Sequence, residues 1–372
     1  MIRFGPWSTT LAAGMVFGAL VALLLAVSRR NAIANRLLAG VIMVIVLKLG
    51  PYVLGFAGFF DAYPWLSFVP LSFGLALGPL LYLHVVRLTS GRLPPRWGWH
   101  LLPAALQFGY YLVMFAQPLA VKNAWADRVD APWIDPAETW LELASLLSYL
   151  ALSLRQHRRY QAWLDATLSN RDQFRIQGLR NVLVLMAVIL PLWAAYEAAS
   201  ALLQFDYFQR MPLYVALTAL VTWLGLEGWR NADLAYPQPA AVDDTRPAAT
   251  PPVPRDWSIE GRQWRLQLQA AGWWRDPDLS LDRLARYLGT NTSYLSRAFN
   301  EGLGQTFNAV VNGLRVEAVQ ARLSEDASGD LLALAQWAGF NSKSSFNRWF
   351  KAQAGVAPSE YRAGARRTRA RP

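Results

Sequence analysis

The sequence predicts an all-α protein: a polytopic membrane helix bundle of about seven spans, followed by a soluble double helix-turn-helix domain. Three observations predict it. Residues 1–230 hold seven long apolar runs; proline and alanine crowd residues 231–255; and beyond them apolar residues recur at helical spacing around two glycine turns. Hydrophobic residues make up 54% of the chain and charged residues 16%, against roughly a quarter charged in ordinary soluble domains. Mean hydropathy is only +0.17, because a strongly apolar half is averaged with a polar one.

A bilayer core takes about 20 apolar residues per helix. The expected spans are Thr9–Ser28, Leu37–Phe59, Leu66–Val86, Trp99–Phe115, Thr139–Leu154, Val182–Phe205 and Pro212–Trp229. The fourth and fifth are short or interrupted by Pro103. Trp7, Trp65, Trp97, Trp99, Trp140 and Trp229 lie near span ends, where amphipathic rings favour the membrane interface. The other reading is a buried helical bundle of a soluble protein, which seven consecutive runs of this length disfavour.

Orientation follows from lysine and arginine in the connections. The first holds Arg29, Arg30 and Arg36; the third Arg87, Arg92 and Arg96; the fifth Arg155, Arg158, Arg159, Arg171, Arg175 and Arg180. The second has none, the fourth only Lys122 and Arg128 beside several acids, and the sixth only Arg210. Basic loops stay in the cytoplasm, so the N-terminus is expected outside and the C-terminal half inside. Ala26-Val27-Ser28 resembles a signal-peptidase site. Only Arg3 precedes that apolar run, however, whereas Arg29 and Arg30 follow it, so cleavage is rejected.

Ionisable groups inside the spans are the candidate signal-sensing residues: Lys48, His84, Glu197 and Glu227. A charge at mid-bilayer costs about 2.5–3.5 kcal/mol on insertion scales, so such groups face the bundle interior and pair. Lys48 and Glu197 are expected at similar depth; ligand contact, snorkelling and structural ion pairing are the competing roles. The basic segment Arg155–Arg180, with Tyr160, Trp163, Leu164 and Leu168, is expected along the inner leaflet, or against the cytoplasmic domain as a relay.

The linker, residues 231–255, includes Pro237, Pro239, Pro247, Pro251, Pro252 and Pro254. Such a composition builds no core and forms a semi-rigid tether; at about 3.1 Å per residue it reaches at most roughly 75 Å.

The soluble domain is placed at 256–364. Trp257, Trp264 and Leu268 mark a first helix. Leu279, Leu281, Leu284, Ala285 and Leu288 form an apolar face that Gly289 terminates. Asn291 is a good N-cap for a following helix through Asn300, with Leu295, Ala298 and Phe299 inward and Ser293, Ser296, Arg297 and Asn300 outward. The pattern returns about fifty residues later. Leu331, Leu334 and Ala335 face inward, Gly339 turns the chain, Phe340 plugs the core and Ser342 caps a second candidate reading helix. There Phe346, Trp349 and Phe350 are expected buried, with Lys343, Ser344, Asn347, Arg348 and Lys351 outward. Such side chains donate to and accept from base edges in the major groove, or contact phosphate. A single helix over Phe307–Leu323 would hold the two reading helices about one DNA turn apart.

These residues carry a specific resemblance. Ala335, Gly339-Phe340, Ser342, Ser345-Phe346, Arg348, Phe350-Lys351, Gly355, Pro358 and Tyr361-Arg362 match the signature of AraC/XylS-family transcriptional regulators. Leu284-Ala285, Tyr294-Leu295-Ser296-Arg297, Phe299, Gly304, Phe307, Arg315 and Ala318 match its first half. The resemblance covers Trp257–Arg362. It implies base contacts at Ser293, Ser296 and Arg297 in the first unit, and at Lys343, Ser344, Asn347 and Arg348 in the second. Gly78-Pro79-Leu80-Leu81-Tyr82 and Leu101-Leu102-Pro103 look, more loosely, like a membrane-bound subgroup with a polytopic N-terminal region. Soluble members carry a sugar-binding barrel there and this chain has none, so sugar sensing is not implied. Two departures stand out: Ser293 and Ser296 are small for base contacts, and Gly313 weakens the spacer helix.

A net charge of +11 suits phosphate-rich partners, either nucleic acid or anionic lipid. From Arg255 to Pro372 there are 17 basic and 11 acidic residues. The basic tail at 365–372, with Arg366, Arg367, Arg369 and Arg371, would add salt-dependent affinity without specificity. There is no cysteine, which excludes disulfides and thiolate chemistry, and His84, His100 and His157 fall in no metal-ligand spacing. No nucleotide-binding glycine loop, nucleophile motif or metal site is present, so neither an enzymatic activity nor a cofactor is expected. The expected partners are double-stranded DNA, membrane lipid, a second copy in a homodimer, RNA polymerase, and a small-molecule or membrane-state signal. The reading is a membrane-bound, sequence-specific, one-component regulator. The competing readings are a transporter or enzyme with a regulatory DNA-binding appendage, and a membrane-tethered DNA anchor without sequence choice.

Overall fold

A computed structural model describes residues 2–168, 177–205, 209–234, 236–237, 256–326 and 329–369. Among them every regular element is a helix, beside one isolated antiparallel bridge between Leu168 and Ser280. The chain divides into two compact units, Met1–Arg158 with Ile176–Pro239, and Arg159–Arg175 with Ala240–Pro372. Most of the expected linker, and residues 370–372 of the expected tail, lie outside the described residues.

The first unit is built from α1 (Pro6–Val27), α2 (Ala32–Phe56), α3 (Phe59–Ala62), α4 (Leu77–Ser90), α5 (Leu102–Phe115), α6 (Leu119–Trp125), α7 (Asp135–Thr167, the part from Arg159 on being assigned to the second unit), α8 (Gln177–Leu203) and α9 (Met211–Asn231). Among the described residues four helices are long and apolar enough, by length and composition, to cross a membrane: α1, α2, Gly178–Leu203 of α8, and α9. They overlap the first, second, sixth and seventh expected spans. Leu20, Leu23, Val188 and Leu192 are exposed on their outer faces; contiguous apolar surface of this kind marks a face that contacts a protein or a membrane. α1 packs on α2 and α9, α2 on α4 and α9, and α8 on α9. Gly14 and Gly18 bring α1 against Thr218 and Val221 of α9, the close approach that small residues allow between membrane helices. Asn35 is buried and donates to Ser28 Oγ (2.9 Å), Arg30 O (2.9 Å) and Ala232 O (3.1 Å), tying the α1–α2 turn to the end of α9.

The expectation of seven spans is not met by helices of that length and apolarity among the described residues. In the third expected span, residues before Gly74 form no long helix: Pro70 offers no amide donor, Phe68 takes φ +62°, and only the 14 residues of α4 continue. α5 is also 14 residues long, with Pro103 in its first turn. Fourteen residues reach about 21 Å, short of the roughly 30 Å hydrocarbon core. The fifth expected span is the middle of α7, a 33-residue helix that continues through Arg155 to Thr167. The expected surface segment therefore begins as an extension of α7, and its residues 169–176 lie outside the described residues.

The second unit contains α10 (Trp257–Ala270), α11 (Leu281–Tyr287), α12 (Thr292–Arg297), α13 (Phe307–Glu325), α14 (Leu331–Trp337), α15 (Lys343–Ala354) and α16 (Pro358–Arg369). Short polar residues start six of these helices. The side chains of Asp256, Ser280, Asn291, Thr306, Asp330 and Ser342 each accept from a first-turn backbone amide of α10 to α15 in turn, and each such cap contributes about 1 kcal/mol. One continuous core runs beneath them, including Leu268, Leu284, Phe299, Val319, Phe346 and Phe350. α16 extends the domain to Arg369, so residues 365–369, expected as a tail, are helical.

Candidate nucleic-acid interface

The first helix-turn-helix is α11, a turn at Gly289 and α12. Gly289 takes φ +65°, a conformation that a Cβ disfavours, and the Asn291 side chain accepts from Tyr294 N at 2.8 Å to restart the helix. Leu295, Ala298 and Phe299 are fully buried, as their spacing predicts. α12 is shorter than expected: from Ala298 to Gly302 the helix widens into a π turn. The outward residues carry internal contacts. Arg297 Nε lies 3.0 Å from Glu301 Oε1, and the guanidinium sits 5.0 Å over the Trp257 ring. Asn300 Nδ2 donates to Ser296 Oγ at 3.1 Å. Ser293, Arg297 and Asn300 are exposed, whereas Ser296 is half-buried.

The second unit repeats this plan in α14, Gly339 and α15. Ala335, Ala338 and Phe340 are buried beneath the turn. Ser342 Oγ accepts from Ser345 N at 3.2 Å and starts α15. Lys343, Ser344, Asn347 and Lys351 are exposed; Arg348 is half-buried, its guanidinium 5.9 Å from the Trp349 ring centroid. Phe346 and Phe350 are buried; Trp349, expected to be buried with them, is half-exposed at the edge of the core.

Between the two units, the 19 residues of α13 span about 28 Å, comparable to the roughly 34 Å of one DNA turn. Its register is set by Arg315, whose side chain is wholly buried. Nε donates to Trp274 O (2.7 Å), Nη2 to Asp276 O (2.7 Å) and Nη1 to Asn312 Oδ1 (3.2 Å), while the guanidinium lies 5.7 Å from the Phe340 ring. Burial pulls the guanidinium down to about 10, opposed by Asp276, so it remains charged at neutral pH. A second fastening stands beside it: Arg275 lies 4.9 Å from the Trp274 ring and 4.7 Å from Trp337, and Arg322 lies 4.5 Å from Trp337.

A family described as a helix-turn-helix domain, of AraC type, matches residues 284–364. This region is an AraC-type helix-turn-helix domain. Similar segments occur in uncharacterized HTH-type transcriptional regulators of Staphylococcus aureus. Those of strains COL and MSSA476 are each 36% identical over 85 residues, which is 23% of this chain and 11% of the relative. A further one from the same species is 37% identical over 86 residues, again 23% of this chain and 11% of the relative. The chain thus spans about a tenth of the length of the curated relatives it matches. No solved structure matches it significantly.

Within the AraC-type domain two glycines have opposite roles. Gly339 takes φ +87°, and a Cβ there would stand 2.5 Å from Arg275 O. Gly339→Ala is therefore expected to cost about 2 kcal/mol or more, through left-handed strain and collision. Gly313 is in mid-helix, where a Cβ would meet only Gln353 Oε1 at 3.7 Å. Gly313→Ala is expected to stabilise by up to about 1 kcal/mol. Urea unfolding of the domain reads both, and their signs must differ.

The four candidate signal-sensing residues of the apolar region separate. Lys48 and Glu197 line one cavity in the first unit. Lys48 pairs with Glu142 of α7, a residue the sequence reading passed over, and Glu197 accepts from Trp193 Nε1 at 3.0 Å. His84 is elsewhere, buried with Nδ1 2.8 Å from Ala34 O, a link between α4 and α2. Glu227 Oε1 accepts from Asn231 Nδ2 at 3.1 Å near the end of α9. Among the described residues no His, Cys, Asp and Glu cluster could hold a metal ion.

Proposed function

We propose that this chain is a membrane-bound, sequence-specific transcriptional regulator, in which the helical bundle receives a signal and the AraC-type domain reads a DNA site. The observation that carries the reading is one chain holding both four apolar helices of membrane length and two capped reading helices that present polar side chains on a shared core. The resemblance supports Ser293, Ser296 and Arg297, and Lys343, Ser344, Asn347 and Arg348, as the DNA-facing set; Asn300 and Lys351 join it by their exposure beside them. Arg297 can exchange Glu301 for DNA at little cost, because an exposed ion pair contributes little net stability.

Orientation in the proposal follows the basic loops. Arg29, Arg30 and Arg36 flank the α1–α2 turn, and Arg180 stands in the first turn of α8; keeping both in the cytoplasm puts the end of α9, and the reader beyond it, inside. An odd number of crossings between α2 and α8 is then required. α7 alone, at about 50 Å, is long enough to supply one. DNA then comes to the inner membrane surface, within the reach of the proline-rich tether. Pairing of two copies, and contact with RNA polymerase, belong to the same proposal.

The test is selection of duplexes from a random pool by the fragment from Trp257 to the C-terminus. The proposal expects a defined, two-part motif with halves about one helical turn apart. Binding without any enriched sequence would leave only a tethered DNA anchor.

A further inference from the structure

The cavity that Lys48 and Glu197 share is a chamber of about 210 Å³ with both charged and apolar walls. Its ionisable walls are unbalanced: Asp135, Glu138, Glu142 and Glu197 face Lys48 and Arg210. Lys48 is committed to Glu142 and rests 5.4 Å over the Trp193 ring. Arg210 acts electrostatically on Asp135. Glu138 and Glu197 have no ion-pair partner among the described residues. Glu138 receives only neutral donors: Ser72 Oγ at 3.0 Å, Tyr111 OH at 3.0 Å and Gln107 Nε2. Glu197 receives the Trp193 indole. These hydrogen bonds position two half-buried carboxylates without supplying positive charge; Lys48 acts electrostatically on Glu138 but is already paired with Glu142, and a carboxylate withdrawn from water is costly unless a proton or a cation joins it.

The remaining walls suit an organic cation. Tyr52, Phe60, Phe68, Tyr111, Trp193 and Tyr214 line the same chamber, and aromatic faces attract ammonium groups, more strongly where water is excluded. The Lys48 ammonium, held between a carboxylate and an indole, already shows how the wall receives such a group. A smaller void of about 40 Å³, lined almost wholly by aliphatic side chains, shares Lys48, Trp193 and Leu217 with the chamber, giving an apolar portion a place beside the charged one. Space is reserved for this arrangement: a Cβ at Gly74 would collide with the Glu142 carboxylate.

We infer that the chamber is the signal site, and that its ligand is a small organic amine, whose ammonium is received by Glu138 and Glu197 and whose apolar part lies against the aromatic walls. This rests on the sensing role proposed above and gives it a ligand class. An anion is disfavoured by the acidic excess, and a sugar by the aliphatic annex.

The full-length chain in lipid nanodiscs is titrated calorimetrically at neutral pH with phenethylamine and putrescine, against the uncharged 2-phenylethanol and the anionic phenylacetate. Saturable binding of at least one amine, one per chain, is expected, with the two controls silent. Glu138→Gln and Glu197→Gln should each weaken that binding at least tenfold. The idea is overturned if neither amine binds, if phenylacetate binds instead, or if amine affinity survives within twofold in the double variant. Sequence-specific DNA binding is measured on the same preparations. An unchanged helical circular-dichroism spectrum and melting midpoint of each variant in the nanodiscs show that the bundle has folded, and amine failure beside intact DNA recognition removes this inference alone. Loss of sequence preference in the unaltered chain would instead remove the regulatory reading.

Discussion

Replacing Arg315 by alanine lowers the stability of the DNA-reading domain by about 3 kcal/mol or more. The effect is large because the side chain, at 0% exposure, is the shared donor for Trp274 O, Asp276 O and Asn312 Oδ1. Removing it strands buried acceptors, each costing about 1–3 kcal/mol, and opens a void beneath Phe340. For a domain near 100 residues the melting midpoint falls by roughly 10–20 °C. Arg315→Lys retains charge but offers a single ammonium in place of a planar fork, so it recovers only part of the loss. Thermal and urea unfolding of the domain fragment measure both variants. A loss under about 1 kcal/mol for alanine would mean that the guanidinium does not fasten α13 to the preceding turn.

Replacing Arg348 by alanine weakens binding to the selected DNA site by roughly 10- to 100-fold, corresponding to about 1–3 kcal/mol for a base-reading contact. Arg348 shares an outward face of α15 with Ser344 and Asn347 and is braced by the Trp349 ring. A half-buried arginine loses less side-chain freedom when it engages a guanine edge than a fully mobile one would. Binding to random duplexes, which depends on phosphate contacts, should fall much less. Fluorescence anisotropy on both duplexes, at one fixed salt concentration, separates the outcomes. An equal decline on the two would make Arg348 a phosphate contact and not a reader of sequence.

Local chemistry made much of the reading half legible before any coordinates. Asn291 and Ser342 are caps because a short acceptor there meets an amide three residues on, and Gly289 and Gly339 mark turns because both take positive φ. These signals lie within a few residues of their effects. Arg315 lay in the recognisable pattern, but its acceptors are 39 and 41 residues away, and no periodicity reports such a partner. Trp349 departs from its expected burial for a related reason: the helical face places it toward the core, but at the edge of the core the ring is only partly covered.

The membrane half was legible where hydropathy alone decides, at α1, α2, α8 and α9. Around Pro70 and Pro103, proline and irregular backbone shorten the greasy runs, so the count of seven spans is not confirmed there among the described residues. The Lys48 partner was missed because Glu142 is 94 residues away. The one available hint was local: Glu138 and Glu142 are four residues apart and so share a helix face, one just before and one inside the run Thr139–Leu154 that reads as a span. Two acids on one face of such a helix call for an inward environment.

The most direct test of the account as a whole is to crosslink cells with formaldehyde, separate membranes from soluble material, and sequence the DNA recovered with the full-length chain from each fraction. The account predicts a small set of discrete sites sharing one motif, recovered from the membrane fraction and lost with Arg348→Ala. Recovery of those sites from the soluble fraction, or membrane recovery of DNA with no enriched sequence, would contradict it.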